Sequence, residues 1–147
     1  MSVIIRNGWE IYFHRNLFGE QRRQLKEQVK QLKVNLPLEE FVKHSTVKLL
    51  AAVMVGIKEK IVLDPFAPQF ALKGALRHYG RLKGMGLSDR YRLFFRAFES
   101  GGRKVLIVLW LGFPRKEGDK YEFFSRMVHN GDFPENLEQM LSETDVI

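Results

Sequence analysis

Residues 90–98 read Arg-Tyr-Arg-Leu-Phe-Phe-Arg-Ala-Phe. Side chains of a β-strand alternate between its faces, so Arg90, Arg92, Phe94, Arg96 and Phe98 share one side and Tyr91, Leu93, Phe95 and Ala97 the other. The second side is apolar and suited to burial, whereas the first alternates guanidinium and aromatic groups. Upstream, Arg77 to Lys83 also reads as a strand, and Gly84 and Gly86 lie in the turn between the two. Arg81 and Lys83 share a face across that hairpin. Downstream, Ser100-Gly101-Gly102 turns the chain into Lys104–Leu111, which is apolar on both faces, as a central strand requires.

Working outward, Trp9, Ile11 and Phe13 alternate with more polar neighbours, which predicts a strand over Asn7–His14. From Arg15 to Lys33 the apolar residues Phe18, Leu25, Val29 and Leu32 recur at helical spacing, and Arg22, Lys26, Lys30 and Lys33 form the opposite, basic face. Pro37, followed by Glu39 and Glu40, opens a second helix, with proline in the first turn and acids at the positive dipole end. Its apolar stripe runs through Leu38, Val42, Leu49, Val53, Ile57 and Ile61, and Asp64-Pro65 and Pro68 end it. Beyond the central strand a helix is predicted over Asp119–His129, with Phe123, Phe124, Met127 and Val128 inward. Pro134 opens a short last helix to Ser142. The predicted order is β-α-α-β-β-β-α plus this short C-terminal helix. It makes one α+β domain over residues 1–147, an antiparallel twisted sheet with helices packed on one face.

Composition narrows the class. The chain has 147 residues, 45 % hydrophobic and 28 % charged, a globular balance for one domain. It has no cysteine, which excludes disulfides, thiol catalysis and cysteine–zinc sites. The longest apolar runs, Leu49–Ile57 and Val105–Phe113, are about half the roughly 20 residues of a membrane helix. Arg6, Glu10 and Arg15 interrupt the N-terminal apolar positions, so no secretory leader is expected and the chain reads as soluble and cytoplasmic. His14, His44, His78 and His129 are scattered, and no close carboxylate pair is evident, so no metal site and no cofactor are expected.

The charge is unevenly spread. The net value is +7, and residues 72–96 hold seven basic side chains against one acid, Asp89, while residues 117–147 hold eight acids against two basic residues. Concentrated positive charge is the footprint of a nucleic-acid partner or, on the plainer view, a solvated basic surface. Interleaved with rings, it suits single-stranded RNA, whose phosphates pair with cations and whose bases stack on aromatic groups. Arg81, Arg90, Arg96 and Phe94 are the candidate RNA-binding residues.

RNA scission by the neighbouring 2′-hydroxyl needs a proton acceptor, cations for the phosphorane and an acid for the leaving oxygen. A lysine crowded by like charge has its charged form disfavoured, which makes Lys83 the candidate base. Arg92 and Arg115 suit the developing negative charge, because a planar guanidinium binds phosphate bidentately. Tyr121, at a helix start six residues beyond Arg115, can position the nucleophile or stack a base. One other function fits the same residues: a non-catalytic RNA- or ribosome-binding module.

Asn7-Gly8-Trp9, Lys48-Leu49-Leu50-Ala51, Arg90–Arg96 and Tyr121–Met127, in that order, resemble the YhaV toxins of the RelE-like ribonuclease superfamily. The Tyr91-Arg92-Leu93 core, and the pair Arg115 and Tyr121, are similar to the wider superfamily. The resemblance implies a RelE-like β-α-α-β-β-β-α toxin of a type II toxin–antitoxin pair that cleaves messenger RNA without metal and so inhibits translation and growth. It also implies a dimeric antitoxin of the PrlF type, through which any DNA contact would come. It implies roles as well: Arg92 as the phosphate-binding arginine, Lys83 and Arg81 as basic positions on the preceding strand, and Arg115 and Tyr121 as the arginine and tyrosine after the last strand.

Overall fold

A computed structural model describes residues 3–113 and 119–146. The described residues form six strands: β1 (Ile4–Arg6), β2 (Trp9–His14), β3 (Gly80–Leu82), β4 (Arg92–Ser100), β5 (Arg103–Gly112) and β6 (Thr144–Asp145). They lie in one sheet of order β1-β2-β5-β4-β3, with β6 against the end of β2. The strand apolar on both faces, β5, is central as its composition requires.

The two hairpins read from the turns are present, with Leu82 opposite Leu93 and Ser100 opposite Arg103. The purely antiparallel sheet is not. β2 runs parallel to β5, Ile11 facing Leu106, so the α+β sheet is mixed. Only a hairpin turn forces antiparallel pairing; β2 and β5 are joined through a long helical crossover, which permits the parallel arrangement. Asn7 and Gly8, at φ 50° and 82°, form a tight turn that pairs β1 with β2. Asn-Gly favours that turn because both central residues need positive φ.

The helices are α1 (Glu20–Asn35), entered through a π-helical turn at Arg15–Gly19, then α2 (Leu38–Phe41), α3 (Ser45–Val55), α4 (Lys120–His129) and α5 (Leu137–Leu141). The single long helix predicted from Pro37 is broken at His44. That residue is extended, and its Nδ1 accepts the Thr46 N–H at 3.1 Å, capping α3. Leu38 and Val42, counted into the apolar stripe, are consequently exposed. The helices also do not share one face. Val53 and Ile57 pack with Phe13, Leu93, Phe95 and Val108 on one side, while Phe124, Met127 and Met140 pack with Phe94, Ile107 and Trp110 on the other. A strand such as β5, apolar on both sides, needs cover on both.

A bulge adjusts the second face. Phe94 stands opposite Trp110 but Phe95 opposite Val108, so Leu109 and Trp110 together face one residue of β4. Both belong to the cluster beneath α4.

The C-terminus is tied back to β2. Arg15 Nε donates to Asp145 at 3.0 Å, and the buried His14 imidazole meets Glu143 at 3.3 Å. Burial pushes the His14 pKa down, against the upward pull of Glu143. The folded state thus disfavours the imidazolium, while the unfolded chain takes up that proton below about pH 6.5. Stability is therefore full above that pH and falls as pH drops from there toward the lowered folded value, by at most about 1.4 kcal/mol per pH unit. Urea denaturation from pH 7.5 to 5 should show this slope in the parent and a flatter one in His14→Gln. An unchanged slope would place the acid sensitivity elsewhere.

Candidate active site

Three elements, β3, β4 and α4, each bring one side chain to a single point. Asp119 caps α4 by accepting the Tyr121 N–H at 3.0 Å, a common role for aspartate before a helix. The Tyr121 ring stands edge-on to Phe94, at 5.6 Å and 84°. Cap and ring together fix the phenol, and two guanidinium groups converge on it. Arg81 Nε and Arg92 Nε each donate to the Tyr121 hydroxyl oxygen at 3.0 Å.

The rest of each guanidinium is held by backbone oxygens. Arg81 Nη1 donates to the Gln69 carbonyl at 2.7 Å, and Arg92 Nη1 to the carbonyls of Asp89 at 2.7 Å and Tyr91 at 2.8 Å. Every acceptor is neutral. Among the described residues neither arginine has an ion pair, and each keeps Nη2 as a donor for a ligand. Two half-buried like charges around one oxygen, with no carboxylate beside them among the described residues, are an arrangement suited to holding an anion. The two accepted hydrogen bonds take both phenol lone pairs, so what Tyr121 can offer a ligand is its own proton.

The other candidates divide. Lys83 is exposed, one residue beyond β3, and has no hydrogen bond among the described residues. After it the chain turns sharply through Gly84, Met85 and Gly86, all at positive φ. Lys60 donates to the Met85 carbonyl and anchors the turn. Arg90 is not on the strand face of Arg92. The Tyr91 N–H donates to the Ser88 carbonyl in a turn, β4 starts at Arg92, and Arg90 lines a separate cavity with Ser45 and Lys48 of α3. Phe94 is also not a surface ring: it is fully buried and stacked on Phe124 at 4.2 Å. It supports the site from below and cannot stack a base. Arg96 does share the Arg92 face, its guanidinium over the Phe98 ring at 4.5 Å and the Tyr79 ring at 5.3 Å. Arg115 lies outside the described residues.

Residues 12–145 match the family model of a toxin with endonuclease activity, of a toxin–antitoxin system, named for YhaV. The chain belongs to the YhaV toxin family. It is 34 % identical to Ribonuclease toxin YhaV of Escherichia coli K12 and to Toxin YhaV of Escherichia coli O6:H1. In each case the similarity covers 95 % of this chain and 94 % of the relative. No solved structure matches the chain significantly. The YhaV match takes in all three elements of the arginine–tyrosine site, so the site is not an addition at the margin of the family domain.

Main-chain groups that the sequence does not disclose complete the cluster. Gln69, Asp89 and Tyr91 contribute carbonyls, which no side-chain pattern discloses. Asp119, read in the sequence as the first helical residue, is instead the cap of α4. Among the described residues no three His, Asp or Glu side chains gather in a metal-ligating group, and no helix is long and apolar enough to cross a membrane.

Proposed function

We propose that the chain is a ribonuclease toxin that cleaves messenger RNA by attack of the 2′-hydroxyl on the adjoining phosphate, without a metal ion. The observation that carries this is the pair of guanidinium groups around the Tyr121 hydroxyl, neither of them paired with a carboxylate among the described residues. Arg92 and Arg81 bind the scissile phosphate and meet the charge that grows on it. Tyr121 donates its proton to a phosphate or leaving oxygen. Lys83, exposed just beyond β3, takes the 2′-hydroxyl proton, and Arg115 adds a further cation. The name ribonuclease toxin, printed for one relative, supports RNA as the substrate, and the basic residues interleaved with rings support single strands.

Membership of a toxin–antitoxin family supports an antitoxin as the second partner, here of the PrlF type, acting with the toxin in the cytoplasm. The exposed basic face of α1, with Lys26, Lys30 and Lys33, is a candidate docking surface. Arg22 is less available than its helical position suggests, because its guanidinium lies half-buried over the Phe13 ring at 5.1 Å.

Purified protein should cleave single-stranded RNA in excess EDTA, with and without ribosomes, and leave 2′,3′-cyclic phosphate ends detectable by mass spectrometry. Activity lost in EDTA and restored by magnesium would assign the chemistry to a metal. RNA bound but never cut would leave a binding module.

A further inference from the structure

Beside Arg81 the sheet has an open edge. β3 accompanies β4 only as far as Gly80 opposite Phe95, while β4 continues along β5 to Ser100. Gly80 allows the strands to come this close, since a Cβ there would sit 2.5 Å from the buried Phe95 ring. The two-residue turn makes Ser100 and Arg103 a hydrogen-bonded closing pair. Alternation along an antiparallel ladder then points the N–H and C=O of Ala97 away from β5, toward the side that β3 has left. A cavity of about 320 Å³ lies there, lined by Phe66, Arg77, His78, Tyr79, Arg96 and Ala97 among others.

The chemistry of the lining is specific. Arg77, Arg96 and His78 line the cavity, and no acidic residue does so among the described residues. The Arg96 guanidinium lies over the rings of Phe98 and Tyr79, which restrain its position. Phe66 is 55 % exposed and packs against Trp9 at 5.8 Å, so part of its apolar surface is open to a ligand. The volume is at the small end of ligand pockets. A planar heterocycle fits such a site better than an extended peptide does, because a peptide strand needs several consecutive backbone partners and this edge offers Ala97 and Glu99. The cations and the adjoining Arg81 favour a polyanion.

We propose that this edge cavity is a nucleobase subsite, taking a base of the RNA strand whose neighbouring phosphate lies on Arg81 and Arg92. The backbone N–H and C=O of Ala97 and the guanidinium of Arg96 read the hydrogen-bonding edge of that base, so this subsite sets the cleavage preference. The proposal rests on the reading of the arginine–tyrosine site as an RNA site.

The test separates the two. The full chain is titrated with each of the four nucleoside monophosphates and, separately, with inorganic phosphate, while the Ala97 amide is followed by NMR. At least one nucleotide should shift that amide and phosphate alone should not. Ala71→Phe, at an exposed position on the cavity wall, should weaken that nucleotide about tenfold or more, a change of roughly 1.4 kcal/mol. In digests of random-sequence RNA, the parent should prefer one base at a fixed distance from the cut, and both Ala71→Phe and Arg96→Gln should flatten the preference. No shift with any nucleotide, an equal shift with phosphate, or protection of Ala97 only by an antitoxin peptide would overturn the subsite. RNA cut with unchanged preference by both variants would overturn it too, while leaving the ribonuclease reading intact. Nucleotide binding at Ala97 without any RNA cleavage would do the reverse.

Discussion

Arg92→Ala is expected to slow RNA cleavage by about 10²–10³, the usual cost of removing one charged donor from a transition-state oxyanion. The geometry adds a second effect. Arg92 Nε holds the Tyr121 hydroxyl and Nη1 holds the carbonyls of Asp89 and Tyr91, so truncation also releases the phenol and the start of β4. Some stability should be lost with the activity, and less than the roughly 1.5–3 kcal/mol of a charged hydrogen bond, because the group is half exposed. Arg92→Lys restores a charge but cannot hold an oxygen on Nε and carbonyls on Nη1 at once, so it should recover little of the rate. Tyr121→Phe is the sharper probe. It keeps the ring against Phe94 and both arginines, and removes the shared oxygen and the donated proton. It should lower kcat far more than it raises KM. Wild-type rates in Arg92→Ala, with melting unchanged, would remove this cluster from the chemistry.

The part of this fold legible in sequence is the part governed by local rules. The hairpins came from Gly84, Gly86 and Gly101-Gly102, and the centrality of β5 from its two apolar faces. Asn7-Gly8 carried an equally good hairpin signal that was read into the strand, which is why β1 was not predicted. The pairing of β2 with β5 and the placing of α4 opposite α1 and α3 depend on how long connections pack, and no period encodes that. β6 is two residues long and held by Arg15 and His14, too short to leave a pattern.

The site divides along the same line. Arg81, Arg92 and Tyr121 stand out in the sequence by their chemistry, and the structure brings them to one oxygen, although 40 and 29 residues separate the arginines from the tyrosine. Strand alternation correctly put Phe94 on the Arg92 face. It could not tell that α4 covers that face at Phe94 and leaves it open at Arg92. Arg90 failed for a different reason, since alternation was extended two residues past the point where the strand begins.

Phe94 is where the two interpretations diverge most in measurable terms. A base-stacking ring, cut back to alanine, would leave the fold intact and weaken RNA binding. The buried ring seen here, against Phe124 at 4.2 Å, Trp110 at 5.7 Å and Tyr121 at 5.6 Å, should behave in the opposite order. Phe94→Ala removes a fully enclosed aromatic group and should cost about 3–5 kcal/mol. That is a large share of the roughly 5–15 kcal/mol that holds a domain of this kind together. The urea midpoint should fall steeply, and cleavage should fail because α4 no longer seats Tyr121. Phe94→Leu separates the two consequences. It refills most of the volume, so the fold should survive with a smaller loss, but it removes the ring against which the phenol stands. Activity should then drop in a protein that still unfolds cooperatively. A Phe94→Ala variant with parental stability and weakened RNA affinity would mean that the ring meets the substrate after all.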